Sequence, residues 1–273
     1  MSKPSIAELQ EIARKSRILI VKMVHKAKSG HFGGPLSSID MLTALYFYKM
    51  RIDPKRPDWD ERDRFVLSAG HTCAALYATL IQKGYIPESE WQTFRQLGSS
   101  LQGHPKMKIP YGIEMSTGSL GQGMSVANGM ALASRVTGKN YRVYSIETDG
   151  GAQEGMMWEG AMSAAHQKLD NRCALVDFNN VQIDGYVSDV KGIEPFDAKF
   201  AAFGWHIIKV DGHNMQQICA ALDEAETIKG KPTVILGKTV IGKGVSFAEN
   251  KPKYHGVPPT DEELAIALKD LGA

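Results

Sequence analysis

The sequence predicts an α/β fold, a doubly wound and mostly parallel sheet with helices on both faces. Two short apolar runs, at 141–147 and from residue 173, are joined by a helical segment, which is the pattern of a βαβ unit with parallel strands. Further strand and helix patterns alternate on either side of this unit. The 273 residues show no internal repeat and no linker, so we treat residues 1–273 as one domain.

Apolar periodicity predicts the individual elements in order. A helix is expected over 5–28 with Ser5 as its N-cap, because apolar residues recur there at helical spacing. Gly30 and the glycines before Pro35 are expected to break it. The elements predicted after that break are a helix over 37–50, a strand over 64–68, a helix over 72–83, an ordered functional loop through most of 97–123, a helix over 122–135, the strands of the βαβ unit, a strand over 206–210, a helix over 214–228, a strand over 232–237 and a short helix over 260–272.

Composition excludes several classes of protein. With 32 basic and 30 acidic residues the net charge is only +2, so there is no electrostatic basis for binding nucleic acid. Cys73, Cys173 and Cys219 are an odd number without CxxC spacing, which indicates buried thiols in a reducing compartment. The N-terminus lacks a signal-peptide pattern and no apolar run reaches membrane-spanning length. We therefore expect a cytoplasmic protein without a membrane partner.

Asp149 and Asn179 each close one of the two apolar runs of the βαβ unit. Ligands of parallel sheets bind outside the carboxyl ends of the strands, where both side chains would emerge. A carboxylate and an amide oxygen suit Mg²⁺ or Ca²⁺ that also holds a phosphate, and Gly150 and Gly151 would let backbone N–H groups approach that phosphate. The alternatives are an ordinary tight turn for the glycines and a helix N-cap for Asp149.

Histidines recur on glycine-bent loops. His31, His71, His104 and His213 each follow a glycine, and His255 precedes one. Imidazoles on such loops can donate hydrogen bonds to an oxyanion or a hydroxyl, whereas a lone loop histidine is more often a solvated or capping residue. Several Gly-His pairs at strand-to-helix loops shift that balance toward a functional role. His213 is assigned to a turn and cap before the helix at 214–228. Structural roles are expected for the histidines inside regular elements, which are His25, His166 and His206.

Together, these segments resemble the thiamine diphosphate enzymes, specifically the N-terminal, diphosphate-binding domain of transketolases. The matching segments follow the family's order and cover nearly the whole chain: residues 29–36, 63–71, 103–105, 117–123, 149–185 and 255–256. The resemblance implies the thiamine diphosphate-binding fold and a Mg²⁺ ion, with Ca²⁺ or Mn²⁺ as substitutes. It implies that Asp149, the Asn179 side chain and the Val181 carbonyl bind this metal together with the diphosphate.

The resemblance also implies roles for the other site residues. The diphosphate would be contacted by His71, His255 and the Gly150 backbone, and the aminopyrimidine by Gly118 and Leu120. Ile183 would pack on the cofactor, and Glu154 would join a carboxylate network across a subunit interface. The donor pocket would be lined by His31 and His104 together with His71 and His255. Three positions depart from the family pattern: Thr148 replaces a usual glycine, and Phe32 and Ser119 stand where proline is common. We expect an altered turn at the first and less rigid loops at the other two.

The implied reaction is transfer of a two-carbon ketol unit from a ketose phosphate to an aldose phosphate. Complete transketolases continue into a pyrimidine-binding domain and a C-terminal domain, whereas this sequence stops soon after His255. We therefore expect one subunit of a split transketolase, active with a separate C-terminal subunit in an α₂β₂ assembly. The alternatives are a subunit of another thiamine diphosphate enzyme, either 1-deoxyxylulose-5-phosphate synthase-like or decarboxylating a 2-oxo acid, and a non-catalytic cofactor-binding relic. The sequence does not identify the sugar.

Overall fold

A computed structural model describes residues 3–273; Met1 and Ser2, which open the segment used to predict the absence of a signal peptide, lie outside them. Five parallel strands form the main sheet in the order β1-β2-β3-β7-β6, and β4 and β5 form a small antiparallel hairpin. The predicted parallel sheet is confirmed. The strands are β1 (Arg64–Leu67), β2 (Val143–Thr148), β3 (Arg172–Phe178), β4 (Val181–Gln182), β5 (Gly185–Tyr186), β6 (His206–Asp211) and β7 (Thr233–Lys238).

Helices cover both faces of the main sheet, as predicted. They are α1 (Ile6–Ala27), α2 (Gly33–Thr43), α3 (Cys73–Lys83), α4 (Gln122–Val136), α5 (Gly155–His166), α6 (Val187–Val190), α7 (Phe196–Phe203), α8 (Met215–Thr227) and α9 (Asp261–Asp270). A π-helical segment, Ala44–Lys49, extends α2. Short 3-10 turns occupy Gly70–Thr72, Glu88–Thr93, Ile109–Tyr111, Gly150–Gln153 and Pro252–His255.

The start of α2 corrects the prediction of a helix over 37–50. Gly33 and Gly34 do not separate α1 from a later helix start at residue 37. They form the first turn of α2 itself, followed by Pro35. Proline is tolerated in a first turn because the backbone N–H it lacks has no partner within the helix at that point. By contrast, α1 begins where expected, with the Ser5 hydroxyl accepting from the Glu8 N–H and the Glu8 carboxylate accepting from the Ser5 N–H.

The helix α7 was not predicted. It has only eight residues, so its stability depends on packing rather than on propensity. Phe196 and Phe200 are buried, and their rings pack against Trp158 at centroid distances of 5.5 and 5.3 Å. These partners are distant in sequence, which is why periodicity alone did not reveal the helix.

Successive side chains along each strand point alternately into two hydrophobic cores, one on each face of the sheet. In β2, Tyr144 and Ile146 pack into the core formed with α1, α2, α3 and α8. Val143 points to the opposite core, which includes residues of α4, α5 and α7. This alternation follows from the period of two in a strand, and it confirms the doubly wound arrangement.

The register of the sheet brings the predicted site loops to one edge. Thr148 of β2 pairs with Asp177 of β3, so Asp149 and Asn179 leave neighbouring strands at their carboxyl ends. Leu67 of β1 pairs with Ile146, which places the loop carrying His71 at the same edge. All three cysteines are buried free thiols, as predicted. Within residues 3–273, no helix has the length and apolarity needed to cross a membrane.

Helix α4 provides a matched test of packing. A Cβ added at Gly123 would lie 2.4 Å from Ser68 Cβ and 2.7 Å from Ser68 Cα, whereas a Cβ at Gly129 would meet nothing within 4 Å. We expect Gly123→Ala to lower the free energy of unfolding by about 1–3 kcal/mol because backbone must move. Gly129→Ala should raise it by about 0.5–1 kcal/mol through helix propensity. Urea unfolding of the full chain measures both, and equal effects would contradict the close approach of α4 to β1.

Candidate active site

A cavity of about 370 Å³ at the carboxyl edge of the sheet gathers almost all predicted site residues. Its lining includes His31, His71, His104, Gly118, Leu120, Gly150, Glu154, Asn179, Val181, Ile183 and His255. Asp149 is the exception, because it is only 1% exposed and lies beside the cavity between the lining residues Thr148 and Gly150. Ile183 is 68% exposed, so the cavity is open to solvent on its side.

Asp149 joins the loops that follow β2 and β3. One carboxylate oxygen accepts the Gly150 N–H at 2.8 Å, and the other accepts the N–H of Asn180. Asn180 adopts a left-handed conformation with φ of +61°, which asparagine tolerates better than most residues. Asp149 also caps the 3-10 turn Gly150–Gln153, so the alternative interpretation as a cap is realised at the same carboxylate. A capping role therefore does not compete with a metal role.

The electrostatics of Asp149 fit a bound cation. The pKa of its carboxyl is raised to about 7, mainly by burial and also by the nearby Asp177, against the lowering effect of the Asn180 and Gly150 N–H groups. Asp149 takes part in no salt bridge among residues 3–273. A buried carboxylate without a cationic side chain either takes up a proton or is neutralised by a metal.

The predicted donor set is of the kind that suits a hard cation. No group of three His, Cys, Asp or Glu side chains in the described part of the chain is arranged around a common metal position. The predicted set instead combines one carboxylate with the Asn179 amide oxygen and the Val181 carbonyl. Oxygen ligands with only one carboxylate suit Mg²⁺ that completes its coordination with phosphate oxygens.

Asp177 orients Asn179, and the sequence analysis missed it. Asp177 is fully buried; one of its oxygens accepts from Ser37 Oγ at 2.6 Å and from Asn179 Nδ2 at 3.2 Å, and the other accepts from the Thr239 hydroxyl. The Asn179 Oδ1 therefore faces away from Asp177, where it accepts the Val181 N–H at 2.9 Å and keeps a second lone pair. The signal was a carboxylate inside an apolar strand, two residues before Asn179.

Three of the pocket histidines form a compact cluster. The His31 ring centroid lies 4.8 Å from that of His71 and 5.3 Å from that of His255, and the His71 and His255 centroids are 5.3 Å apart. His104 lines the same cavity beside Gly118, where an added Cβ would lie 3.4 Å from the imidazole. Four separate loops thus converge on one wall.

Backbone contacts hold these loops together. The Phe32 N–H donates to the His255 carbonyl at 3.3 Å, and the Thr117 N–H donates to the Pro105 carbonyl at 3.1 Å. Gly70, which precedes His71, packs on Thr117 so closely that a Cβ would lie 2.7 Å from the Thr117 carbonyl carbon. Glycine before His71 is therefore required by a close backbone approach.

Burial keeps the pocket imidazoles neutral. It lowers the pKa of all four histidines, and His255, Arg95 and His104 help to bring the pKa of His31 to about 4. None of the four imidazole rings forms a hydrogen bond within residues 3–273, and Nδ1 of both His31 and His255 is buried without a partner. A neutral imidazole offers one donor and one acceptor, so these groups are available to a ligand.

The three departures from the family pattern have local contacts. The Thr148 hydroxyl accepts the Gly151 N–H at 3.1 Å and so supports the turn after β2. Phe32 is buried and stacks on Phe247 at a centroid distance of 6.1 Å. Ser119 Oγ accepts from the Gln122 side chain at 3.1 Å. Each substituted residue therefore has a packing or hydrogen-bond partner.

His213 lies outside the cavity, as predicted. Asn214, rather than His213, caps α8 by accepting the Gln217 N–H at 3.1 Å. The His213 ring contacts Asp40 through Nδ1 and accepts the Val240 N–H through Nε2, both at 2.8 Å. A larger cavity of about 710 Å³ lies over the ends of β6 and β7 beside His213, and it contains none of the predicted cofactor or metal residues.

The depressed histidine pKa values predict how stability depends on pH. An unfolded histidine takes up a proton below about pH 6.5, whereas the buried His71 has a pKa well below that value. Its stabilising contribution is therefore complete above pH 6.5 and is lost as pH falls toward the folded pKa. When the pH falls from 7.5 to 5.0, the free energy of unfolding of the parent should decrease. We expect the corresponding decrease in His71→Gln to be smaller by roughly 1–2 kcal/mol.

Urea unfolding of the full chain at the two pH values measures this difference. His166→Gln, on the exposed end of α5, is the matched control and should behave like the parent. An identical loss in the parent and His71→Gln would show that His71 is not kept neutral by burial.

Comparisons with known proteins agree with this geometry. A family profile described as transketolase, thiamine diphosphate binding domain, matches residues 9–273. The 6-deoxy-6-sulfo-D-fructose transketolase subunit SqwG of Clostridium sp. (strain MSTE9) is 44% identical, over 97% of this chain and 96% of that protein. An apulose-4-phosphate transketolase subunit from Phocaeicola vulgatus is 40% identical, over 97% of this chain and 93% of that protein.

A solved structure is also similar. The crystal structure of transketolase from Campylobacter jejuni superposes with a TM-score of 0.93 and 35% sequence identity, over 98% of this chain. The match covers 43% of that transketolase, so this chain spans less than half of its length. The superposition confirms the predicted fold class.

Proposed function

This chain belongs to the family of the transketolase thiamine diphosphate-binding domain, and we propose that it is the cofactor-binding subunit of a two-chain transketolase. The proposed reaction moves a two-carbon ketol unit from a ketose phosphate to an aldose phosphate. The observation that carries this proposal is the cavity itself: four imidazoles without a hydrogen-bond partner among residues 3–273 lie in the same pocket as a loop anchored by the buried Asp149, which has no salt bridge within those residues. The first group suits sugar oxygens, and the second suits a metal-bound diphosphate.

Different residues are proposed to contact different parts of the cofactor. Mg²⁺ or its substitutes would be bound by Asp149, Asn179 and the Val181 carbonyl. The diphosphate would be contacted by His71, His255 and the Gly150 backbone, the aminopyrimidine by Gly118 and Leu120, and Ile183 would pack on the cofactor. Thiamine diphosphate, when bound, supplies the nucleophilic carbon and the electron sink for C–C cleavage. The cavity residues then have only to bind, orient and exchange protons.

The histidines act on the oxygens of the sugar. Because the pKa values of His31 and His104 are lowered from the ordinary histidine value of about 6.5, both imidazoles favour the neutral form at pH 7, and each can donate one N–H to an oxygen on which negative charge develops. A neutral imidazole can also accept a proton from a hydroxyl through its other nitrogen. With His71 and His255 beside them, they would hold the C1 and C2 oxygens of the donor on one wall.

The donor is proposed to be a ketose with a terminal anionic group, with a ketose phosphate as the first candidate. A sulfonated ketose is the second candidate, because one relative at 44% identity is named for 6-deoxy-6-sulfo-D-fructose. Another relative is named for apulose 4-phosphate, a sugar phosphate. Assays of the reconstituted enzyme with fructose 6-phosphate, apulose 4-phosphate and 6-deoxy-6-sulfo-D-fructose would rank the three by kcat/KM.

The partner is proposed to be a separate chain that carries the pyrimidine-binding and C-terminal domains, in an α₂β₂ assembly. Support comes from the relatives named as transketolase subunits, which this chain matches over more than 90% of their length. Exposed apolar side chains support it too: Ile183 is 68% exposed at the cavity, and Met156 and Met162 of α5 are 42% and 54% exposed. Glu154, exposed just before α5, is proposed to join carboxylates across that interface.

Dependence on a partner is the first test of this function. We expect the purified chain, with thiamine diphosphate and Mg²⁺, to transfer ketol units at no more than about one hundredth of the rate reached after addition of the partner, because half of the cofactor environment would come from the partner. Formation of the transferred-ketol product from donor and acceptor sugars is the measurement. Full activity of the chain alone would refute the two-chain assembly.

Product analysis separates the alternatives. Release of CO₂ from a 2-oxo acid without any need for a sugar phosphate would indicate a decarboxylating enzyme. Decarboxylative condensation of pyruvate with an aldose phosphate, which releases CO₂ together with a 1-deoxyketose phosphate, would indicate a synthase of the 1-deoxyxylulose type. Cofactor binding without turnover of any donor would indicate a non-catalytic relic.

Asn179 offers a test of the metal assignment. We expect Asn179→Ala to weaken Mg²⁺ binding and Mg²⁺-dependent activity of the reconstituted complex by at least about tenfold, since an oxygen ligand is lost. The matched control is Asn180→Gly, because the Asn180 side chain contacts Ser188 instead and glycine accepts its left-handed backbone. Titration calorimetry with Mg²⁺ and thiamine diphosphate measures binding. Unchanged Mg²⁺ dependence in Asn179→Ala would disprove the assignment.

A further inference from the structure

We propose that Arg95 is a positioning residue whose single guanidinium fixes the two loops that carry His31 and His104. Arg95 Nη1 donates to Ser29 Oγ at 2.6 Å, and Nη2 donates to the Gly103 carbonyl at 3.4 Å. Ser29 lies two residues before His31, and Gly103 directly precedes His104. The catalytic consequence rests on the proposed ketol transfer, whereas the effect on the two imidazoles does not.

Both glycines that precede these histidines lie against the Arg95 side chain. A Cβ at Gly103 would lie 2.6 Å from Arg95 Nη2, a distance at which something must shift. At Gly30 a Cβ would lie 3.6 Å from Arg95 Nε, which is an ordinary van der Waals contact, and glycine is favoured there by the backbone φ of +128°. The Gly-His pairs at 30–31 and 103–104 therefore lie against the same arginine, which crowds Gly103 and only contacts the position of Gly30.

Arg95 is itself held in place from its backbone. Its φ of +60° is left-handed, and its N–H donates to the Leu101 carbonyl at 2.8 Å, which closes the turn from 95 to 101. The preceding Phe94 is buried against Tyr77, with ring centroids 6.0 Å apart. A planar guanidinium on a fixed backbone can link two loops at defined angles, which a flexible ammonium cannot do.

The charge of Arg95 has no carboxylate partner. None of the salt bridges among residues 3–273 includes it, and its Nε is buried without a hydrogen bond. An unpaired cation beside an imidazole disfavours the protonated form, and Arg95 accordingly helps burial to lower the pKa of both His31 and His104. The other titratable groups near His31 are His71, His104 and His255.

The fold does not depend on this guanidinium alone. Cys73 Sγ donates to the Gly103 carbonyl at 3.2 Å, and the Tyr77 hydroxyl donates to the Gln102 carbonyl at 3.0 Å. Both donors belong to α3 and hold the 102–104 segment independently of Arg95. Removing the guanidinium should therefore change the position and protonation of the two histidines and leave the chain folded.

Histidine titration by NMR, on the full chain with Arg95→Met, tests the proposal without any catalytic assay. We expect the pKa values of His31 and His104 to rise and that of His255, which burial alone lowers, to stay as it is. Ser29→Ala should affect His31 more than His104, because it removes one end of the link. Arg14→Met is the matched control, since Arg14 donates to the Leu271 carbonyl at 2.7 Å on the far side of α1 and should leave both histidines unchanged.

Kinetics of the reconstituted complex give the second readout. Arg95→Met should lower kcat by about 10- to 100-fold, as expected when reacting groups are misplaced by an ångström or so, and should move the acidic limb of the pH profile to higher pH. Arg95→Lys should keep that limb in place through its charge but recover only part of kcat, because an ammonium cannot link both loops.

Two results would overturn the proposal: unchanged titration of both histidines in Arg95→Met, or an unchanged kcat in a complex whose parent is active. If the parent complex transfers no ketol unit, the proposed function fails, and the NMR titration still decides the role of Arg95.

Discussion

The Asp149 carboxylate accepts backbone hydrogen bonds from both loops that leave the centre of the sheet. One donor is the Gly150 N–H after β2, and the other is the Asn180 N–H after β3. The site depends on this contact because it fixes the two loops relative to each other. Its cost is a buried carboxylate without a cationic side chain, which raises the pKa of Asp149 to about 7. Hydrogen bonds from N–H groups reduce that cost but do not cancel the charge. The negative charge of the Asp149 carboxylate is therefore unfavourable until a cation binds beside it and neutralises it.

The histidine wall shows the opposite effect of the same physical principle. Burial disfavours the charged form of any group, so it raises the pKa of Asp149 and lowers those of His31 and His71. A protonated carboxyl cannot serve as a metal ligand as a carboxylate does, and a bound Mg²⁺ would favour loss of the proton and so restore the carboxylate of Asp149. The uncharged imidazole is the useful form where hydrogen bonds to sugar oxygens are needed. Groups in and beside one cavity therefore have pKa values shifted in opposite directions by the same physical cause, removal from water.

The sequence was sufficient for those parts of the site that general rules determine. The carboxyl ends of neighbouring parallel strands must meet, so Asp149 and Asn179 could be placed together from the pattern alone. The prediction that this helix begins at residue 37 was wrong, since α2 begins at Gly33: glycine and proline break a helix in its middle but are tolerated in its first turn. Asp177 and Arg95 were missed because their roles depend on partners far away in sequence, such as Ser37 for Asp177 and Ser29 for Arg95. Periodicity carries no information about such contacts.

Arg95 and Asp177 act on different groups of the site, and this separation bears on how a cofactor would bind. Arg95 affects His31 and His104, whereas the charge close to Asp149 is the second carboxylate, Asp177. A diphosphate approaching the acidic part would be repelled by both carboxylates unless a divalent cation came with it. Metal and diphosphate should therefore bind with positive coupling, each strengthening the affinity for the other by the same factor. The histidine part has no such requirement, since a neutral wall beside a fixed guanidinium already favours oxygen atoms that carry partial or developing negative charge.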